Sequence, residues 1–139
     1  MNEKTAALLA AMENLLRIRN ECSSAVHSEC GLSELTVKQV SYLRLIDEHG
    51  EITFSRLAEV TGTTKPTVTE MINRCTSMAC VYRERSPDDG RTQFIRLTEK
   101  GRTIARAERI ALVRMIERMV ASLDDQETDR LVELLAKVR

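Results

Sequence analysis

With 139 residues the chain is one domain by length and can bury a real core. It has no Trp and only two Phe and two Tyr, so that core must come from Leu, Ile, Val, Met and Ala, which suits a mostly helical protein. Its 21 basic and 21 acidic residues cancel to zero net charge, arguing against indiscriminate polyanion binding, and no run of about 18 apolar residues offers a membrane span.

The start, MNEKTAALLAAMENLL, runs into Arg17 and Arg19 with helical spacing and no clean cleavage site. It reads as a helix over 3–22, not a signal peptide, which points to the cytoplasm, where structural disulfides are not expected. Leu8, Leu9, Met12, Leu15 and Leu16 give this helix a wide apolar face. A terminal helix with such a face needs a partner, so it is expected to pack on a second subunit. Residues 23–34 are more polar and can prolong the helix to Glu29, with Gly31 as its exit.

Thr36-Val37-Lys38-Gln39 has capping-box spacing and opens a helix through Val37, Val40, Leu43 and Ile46, closed by Gly50. Glu51-Ile52-Thr53 can add a short strand. Thr53 then caps a helix carrying Phe54, Leu57 and Ala58, and Gly62 ends it through a left-handed turn. Thr64 caps the next helix, with Pro66 in the first turn, where a missing N–H costs nothing. Val68, Met71, Ile72 and Cys75 recur at i, i+3, i+4 and i+7 as an inward stripe. The opposite face holds Pro66, Thr69, Glu70, Asn73 and Arg74, with Lys65 and Thr67 at its leading end. Two short helices joined by a glycine turn fit the helix-turn-helix, whose second helix enters the major groove of DNA.

CVYRERSPDDGRTQFIRLTEKG, residues 80–101, alternates in period two on both sides of a turn. Val81, Arg83 and Arg85 lie on one arm and Gln93, Ile95 and Leu97 on the other. Ser86-Pro87-Asp88-Asp89-Gly90 is turn chemistry, and Arg91 stands just past the tip. A charged hairpin after a helix-turn-helix is a wing, and an Arg at its tip suits the negative potential of a narrow minor groove. Residues 62–102 hold eight Lys or Arg against five acids, a modest excess placed where DNA contact is expected.

LAEVTGTTKPTVTEMINRC followed by RERSPDDGRTQFIRLTEKG resembles the MarR family of winged-helix transcription regulators. The family's Asp-x-Arg wing element is matched by Asp89-Gly90-Arg91, and its Leu-Thr-x-x-Gly helix start by Leu97-Thr98-Glu99-Lys100-Gly101. Weaker likeness covers 35–39 and 123–127. Two departures stand out. Gly90 replaces the first of two basic residues common at the wing tip, which can weaken the minor-groove contact. The family's usual Gly-Leu before the wing is replaced here by Cys75-Thr76-Ser77-Met78-Ala79-Cys80.

Thr98 opens a long helix over about 98–121. Ile104, Ala107, Ala111, Met115 and Val120 lie on its apolar side, widened by Ile110, Leu112, Ile116 and Met119. Arg102, Arg106, Arg109, Arg114 and Arg118 mark the wet side. Asp124 and Glu127 start a last helix that is expected to bury Leu131, Leu134, Leu135 and Val138. The resemblance implies that the N- and C-terminal helices build a homodimer. Paired recognition helices then read half-sites about 34–36 Å apart on a palindromic operator.

Cys22, His27 and Cys30 lie in one stretch beside Glu21 and Glu29. Their spacing is not that of a zinc finger, and the plain reading is packing near a dimer interface; a metal site and a thiol redox sensor are the alternatives. Cys75 and Cys80 fall at positions that should be core. There is no Gly-rich phosphate loop and no Gly-x-Ser-x-Gly element, so the reading is not an enzyme and implies no cofactor.

The sequence therefore predicts a mainly α winged helix-turn-helix with a small β-hairpin wing, dimerising through its N- and C-terminal helices. Residues 35–97 form the DNA-binding lobe; 1–34 and 98–139 form the dimerisation helices. The function is sequence-specific binding of double-stranded DNA as a transcriptional regulator, with two rival readings: a metal- or thiol-redox-sensing regulator using the Cys22–Cys30 segment, and a winged-helix protein–protein assembly module. Candidate DNA contacts are Thr64, Lys65, Thr67, Thr69, Glu70, Asn73, Arg74 and Arg91, with Asp89 orienting Arg91 through a charge-assisted hydrogen bond; an acid such as Glu70 can accept from cytosine N4. Arg83, Arg85 and Arg96 are backbone contacts or fold-internal pairs. The resemblance further implies a repressor released by a small aromatic or phenolic effector. Leu15, Arg19, His27 and Tyr42 are plausible liners of its pocket.

Overall fold

The computed structural model describes residues 1–139, the side chain of Ser33 aside. The chain divides into two compact units: one of residues 1–26 with 108–139, the other of residues 27–107.

In the second unit the elements begin and end where caps dictate. A 3-10 turn, Leu32–Glu34, follows Gly31. Helix α2 (Val37–His49) opens on a full capping box: Thr36 Oγ1 accepts from Gln39 N at 3.1 Å and Gln39 Oε1 accepts from Thr36 N at 2.9 Å. Its buried residues are Gln39, Tyr42, Leu43 and Ile46. Val37, expected on that face, is 89% exposed. A strict i+3 series drifts round a helix with 3.6 residues per turn, so 37 and 46 cannot share a narrow stripe. Strand β1 (Ile52–Thr53) leads into helix α3 (Phe54–Thr61), which Thr53 caps and Gly62 ends at φ 67°. Helix α4 (Lys65–Ser77) is capped by Thr64 and buries Val68, Met71, Ile72 and Cys75, the expected stripe. Strands β2 (Val81–Arg85) and β3 (Gln93–Leu97) pair antiparallel, with Val81 opposite Leu97, Arg83 opposite Ile95 and Arg85 opposite Gln93. β1 adds to the far edge of β3 through Ile52 and Thr53 only, giving the order β1-β3-β2.

These pieces enclose one core. Leu43, Ile46, Ile52, Leu57, Ile72, Ile95 and Ile104 are its largest fully buried side chains. Fully burying such a side chain is worth about 1.5–3 kcal/mol, so this set carries much of the unit's stability. Cys75 and Cys80 are part of it, at 1% and 0% exposure. Burial pushes the Cys75 thiol up to about 11 and raises that of Cys80.

The helix expected over 98–121 is two helices. α5 (Glu99–Ala105) ends at Arg106, with φ −100° and ψ 7°, before α6 (Ala107–Val120) begins. No Pro or Gly marks the break. Arg106 instead forks onto Asp47, 59 residues away, with Nε and Nη2 donating to the two carboxylate oxygens at 3.0 and 2.9 Å. That pair holds the Asp47 carboxyl below its ordinary range through the Arg106 hydrogen bonds. α5 packs closely on the turn before the wing: a Cβ on Gly101 would stand 2.0 Å from the Cys80 carbonyl oxygen. In that turn Ala79 adopts φ 59°, a left-handed conformation that costs a residue with a Cβ.

The first unit comprises most of α1 (Glu3–Cys30), α6 and α7 (Asp125–Leu135). Asp124 and Glu127 form a capping box on α7. Arg118 bridges to Glu21 at 2.9 Å. Apolar side chains remain uncovered: Leu8 and Leu16 are 63% and 57% exposed, Val132 and Leu135 63% and 55%. Leu134 and Val138, expected to be buried, are exposed too, and Leu131 is half-buried. α7 buries nothing fully within its own chain.

Candidate nucleic-acid interface

α4 enters the interface by its N-terminal turn. Thr64 Oγ1 accepts from Thr67 N at 3.4 Å and shares a hydrogen bond with Thr67 Oγ1 at 2.9 Å, while Thr69 Oγ1 donates to the Lys65 carbonyl at 2.9 Å. With Pro66 in the first turn and the Thr67 N–H capped by Thr64, this end presents the positive pole of the helix. Lys65, Thr67, Glu70, Asn73 and Arg74 are exposed along one side, and Thr69 is half-buried. Glu70 and Arg74 pair with each other at 2.7 Å, so the acid's charge is answered on the helix itself.

The wing tip is held by its own side chains. Ser86 Oγ accepts from the backbone N of Asp88 and of Asp89 at 3.3 and 3.4 Å. Asp89 Oδ1 accepts from the Arg91 backbone N at 3.0 Å, and Oδ2 from Thr92 Oγ1 at 3.1 Å. Asp89 therefore shapes the turn's main chain; it does not grip the Arg91 guanidinium, contrary to the expectation from the motif. An Asp two residues before an Arg makes an Asx turn as readily as a side-chain pair.

Between the α4 N-terminus and the wing lies a cleft of about 440 Å³ lined by Thr53, Phe54, Ser55, Lys65, Thr69, Arg83, Arg91, Thr92 and Gln93. Its lining contains three cations and no carboxylate. Thr53 and Ser55 add hydroxyls at the start of α3, while the Thr69 and Thr92 hydroxyl protons are committed to the Lys65 carbonyl and to Asp89; with the cations this makes a surface able to donate to an anion from several directions. The sequence pattern points to Lys65, Thr69 and Arg91 here, and misses Thr53, Ser55, Thr92 and Gln93. Their polar side chains read only as caps and strand or turn positions, and no spacing rule brings them together.

Away from this cleft many cations are paired with acids. Arg96 donates to Glu84 and Glu51, both at 2.9 Å, and its guanidinium lies 5.6 Å from the centre of the Phe94 ring. The Glu84 hydrogen bond chiefly raises its already high pKa. Arg96 is thus a fold-internal pair. Arg17, Arg56, Arg106, Arg118 and Arg130 each have a carboxylate within 3.0 Å. Arg83 donates to Asn73 Oδ1 at 2.6 Å.

The stretch 22–30 stays on α1. Cys22 is buried, Cys30 is half-buried with Sγ 4.0 Å from the His27 carbonyl oxygen, and among the described residues no three His, Cys, Asp or Glu side chains group to hold a metal ion. Of the expected effector liners, Leu15 and Arg19 lie in the first unit and His27 and Tyr42 in the second. Tyr42 is 3% exposed, and its buried hydroxyl lacks a hydrogen-bond partner.

A glycine-turned helix pair, a three-stranded sheet extended into a wing, and a cationic cleft between them define a winged helix-turn-helix DNA-binding protein. A sequence model described as the MarR family matches residues 33–92. The chain is 30% identical over 107 residues to the transcriptional regulator HosA of Escherichia coli O111:H-, across 77% of this chain and 79% of that one. It is 27% identical over 105 residues to the HTH-type transcriptional regulator YdgJ of Bacillus subtilis (strain 168), across 76% of this chain but 64% of that relative, less than two thirds of its length. Among solved structures, that of the PcaV transcriptional regulator from Streptomyces coelicolor in complex with its natural ligand is 25% identical, with a TM-score of 0.51 over 76% of this chain and 74% of that one. The chain belongs to the MarR family.

Proposed function

We infer that the protein is a homodimeric repressor that binds a palindromic operator in the cytoplasm and leaves it when a small molecule binds. The observation that carries the DNA contact is the cleft between α4 and the wing, with Lys65 and Arg91 on its two sides and no acid in its lining. α4 lies in the major groove, where Thr67, Thr69, Glu70 and Arg74 face bases or groove walls, and Arg91 enters the adjacent minor groove. Residues 35–97 supply this reading lobe. The uncovered apolar side chains of α1 and α7 support dimerisation through the terminal helices. The effector reading is supported by PcaV, whose structure holds its natural ligand.

The experiment is selection from a library of short duplexes at two salt concentrations, with the wild-type chain and Arg91→Ala. The wild type selects a palindrome, and binding weakens steeply with salt, by roughly one power of salt concentration per phosphate contacted. Arg91→Ala loses about ten-fold or more in affinity at an unchanged melting temperature, the size of a charge-assisted contact in a narrow minor groove. Equal affinity in the variant removes the wing from the reading. Absence of selection at both salts replaces the regulator reading with an assembly module.

A further inference from the structure

Asn73 and Arg83 stand ten residues apart, on either side of the turn that joins α4 to the wing. Asn73 Oδ1 accepts from Arg83 Nη2 at 2.6 Å. The same guanidinium carbon lies 4.8 Å from the centre of the Phe54 ring, and Phe54 is buried at the first position of α3. One side chain, rooted on β2, therefore touches both helices of the reading motif.

We propose that Arg83 is a positioning residue that clamps the wing to the recognition helix, and that Asn73 serves this clamp instead of reading a base. The inference rests on the DNA-binding reading above and gives that interface its geometry. Three observations carry it. The wing needs a brace: β1 supports β3 only at Ile95 and Phe94, so the outer part of the hairpin is a two-stranded ribbon, the form of sheet that twists most. Arginine is the right residue for such a brace, because guanidinium hydrogen bonding and ring stacking together fix an orientation that a lysine cannot. Base reading by Asn73 is disfavoured: bidentate contact with adenine uses the amide oxygen as well as its N–H, and here the oxygen is turned to Arg83. Fixing the wing before DNA arrives removes an ordering cost from binding. Both partners are exposed, so the clamp adds little to the stability of the fold.

The test compares the full-length wild type with Asn73→Ala, Arg83→Ala and the double variant. Readouts are affinity for the selected operator, base preference at each position, salt dependence and melting temperature. Each single change is expected to weaken binding by about ten-fold, and the double change no further, because either one empties the same contact. Base preference, salt slope and melting temperature stay as in the wild type. Relaxed preference at one base pair in Asn73→Ala alone makes Asn73 a reader and overturns the proposal. So does a salt slope reduced by about 1 in Arg83→Ala, which makes Arg83 a phosphate contact. Additive losses, or affinity that falls only in step with melting temperature, overturn it equally. A wild type that selects no duplex overturns the DNA-binding reading itself, before any variant is compared.

Discussion

Replacing Gly101 by alanine tests how α5 is seated. The new Cβ would stand 2.0 Å from the Cys80 carbonyl oxygen and 2.9 Å from its carbon. Both are backbone atoms, so no side chain can swing aside. An ordinary C···O contact is about 3.3–3.6 Å, so the helix must retreat by more than about 1 Å. That motion stretches two bonds that dock the start of α5: Thr98 N to the Cys80 carbonyl at 3.0 Å, and Thr98 Oγ1 to the Ala79 carbonyl at 2.6 Å. Overpacking costs about 1–3 kcal/mol and each lost hydrogen bond about 1 kcal/mol. Better helix propensity returns about 1 kcal/mol. The net loss is about 2–4 kcal/mol, a fall of very roughly 10 °C in melting temperature for a chain of this size. Thermal unfolding followed by far-UV circular dichroism, at one fixed protein concentration, measures it. A variant that melts within about 2 °C of the wild type refutes the close approach.

Three further outcomes follow from the structure. Ala79→Gly relieves a left-handed alanine and raises stability by about 0.5–1 kcal/mol in urea unfolding, less than the full strain because glycine also loosens the unfolded chain; a destabilised variant contradicts the assigned φ of 59°. The Asp47 pKa is lowered by Arg106, so its stabilisation is present above the ordinary carboxylate range and is lost as pH falls below it; Asp47→Asn is therefore less stable than wild type at neutral pH, and the gap closes in strong acid, as pH-dependent urea unfolding measures. Cys75 and Cys80 react with a neutral alkylating agent in mildly alkaline buffer only as fast as the unit opens, with Cys30 labelled first by mass spectrometry.

The parts legible in the sequence are those decided within a few residues. Thr36, Thr53 and Thr64 announce helix starts because a hydroxyl must meet the first free N–H groups, and each caps as expected; Asp124, expected as an acidic helix start, proves to be a cap as well. The hairpin register follows from period-two alternation about a short turn. What escaped was set by distant partners. Arg106, at the break, meets Asp47 from 59 residues away, and Asn73 meets Arg83 across the turn. Asp89 carries the right residue type for either of two hydrogen bonds, and local turn geometry decides between them. The cleft was legible in its basic members and silent in most of its hydroxyl ones, since threonine and serine do so many jobs that their type alone places them nowhere.

The pairing of cations with acids away from the cleft also bears on where the molecule spends its time. A chromosome is an enormous sink of identical phosphates, and a uniformly basic protein partitions onto it almost completely. With zero formal charge overall this chain carries no such uniform excess, and its cleft gathers three cations with no acid in the lining, so the charge that meets phosphate is concentrated instead of spread.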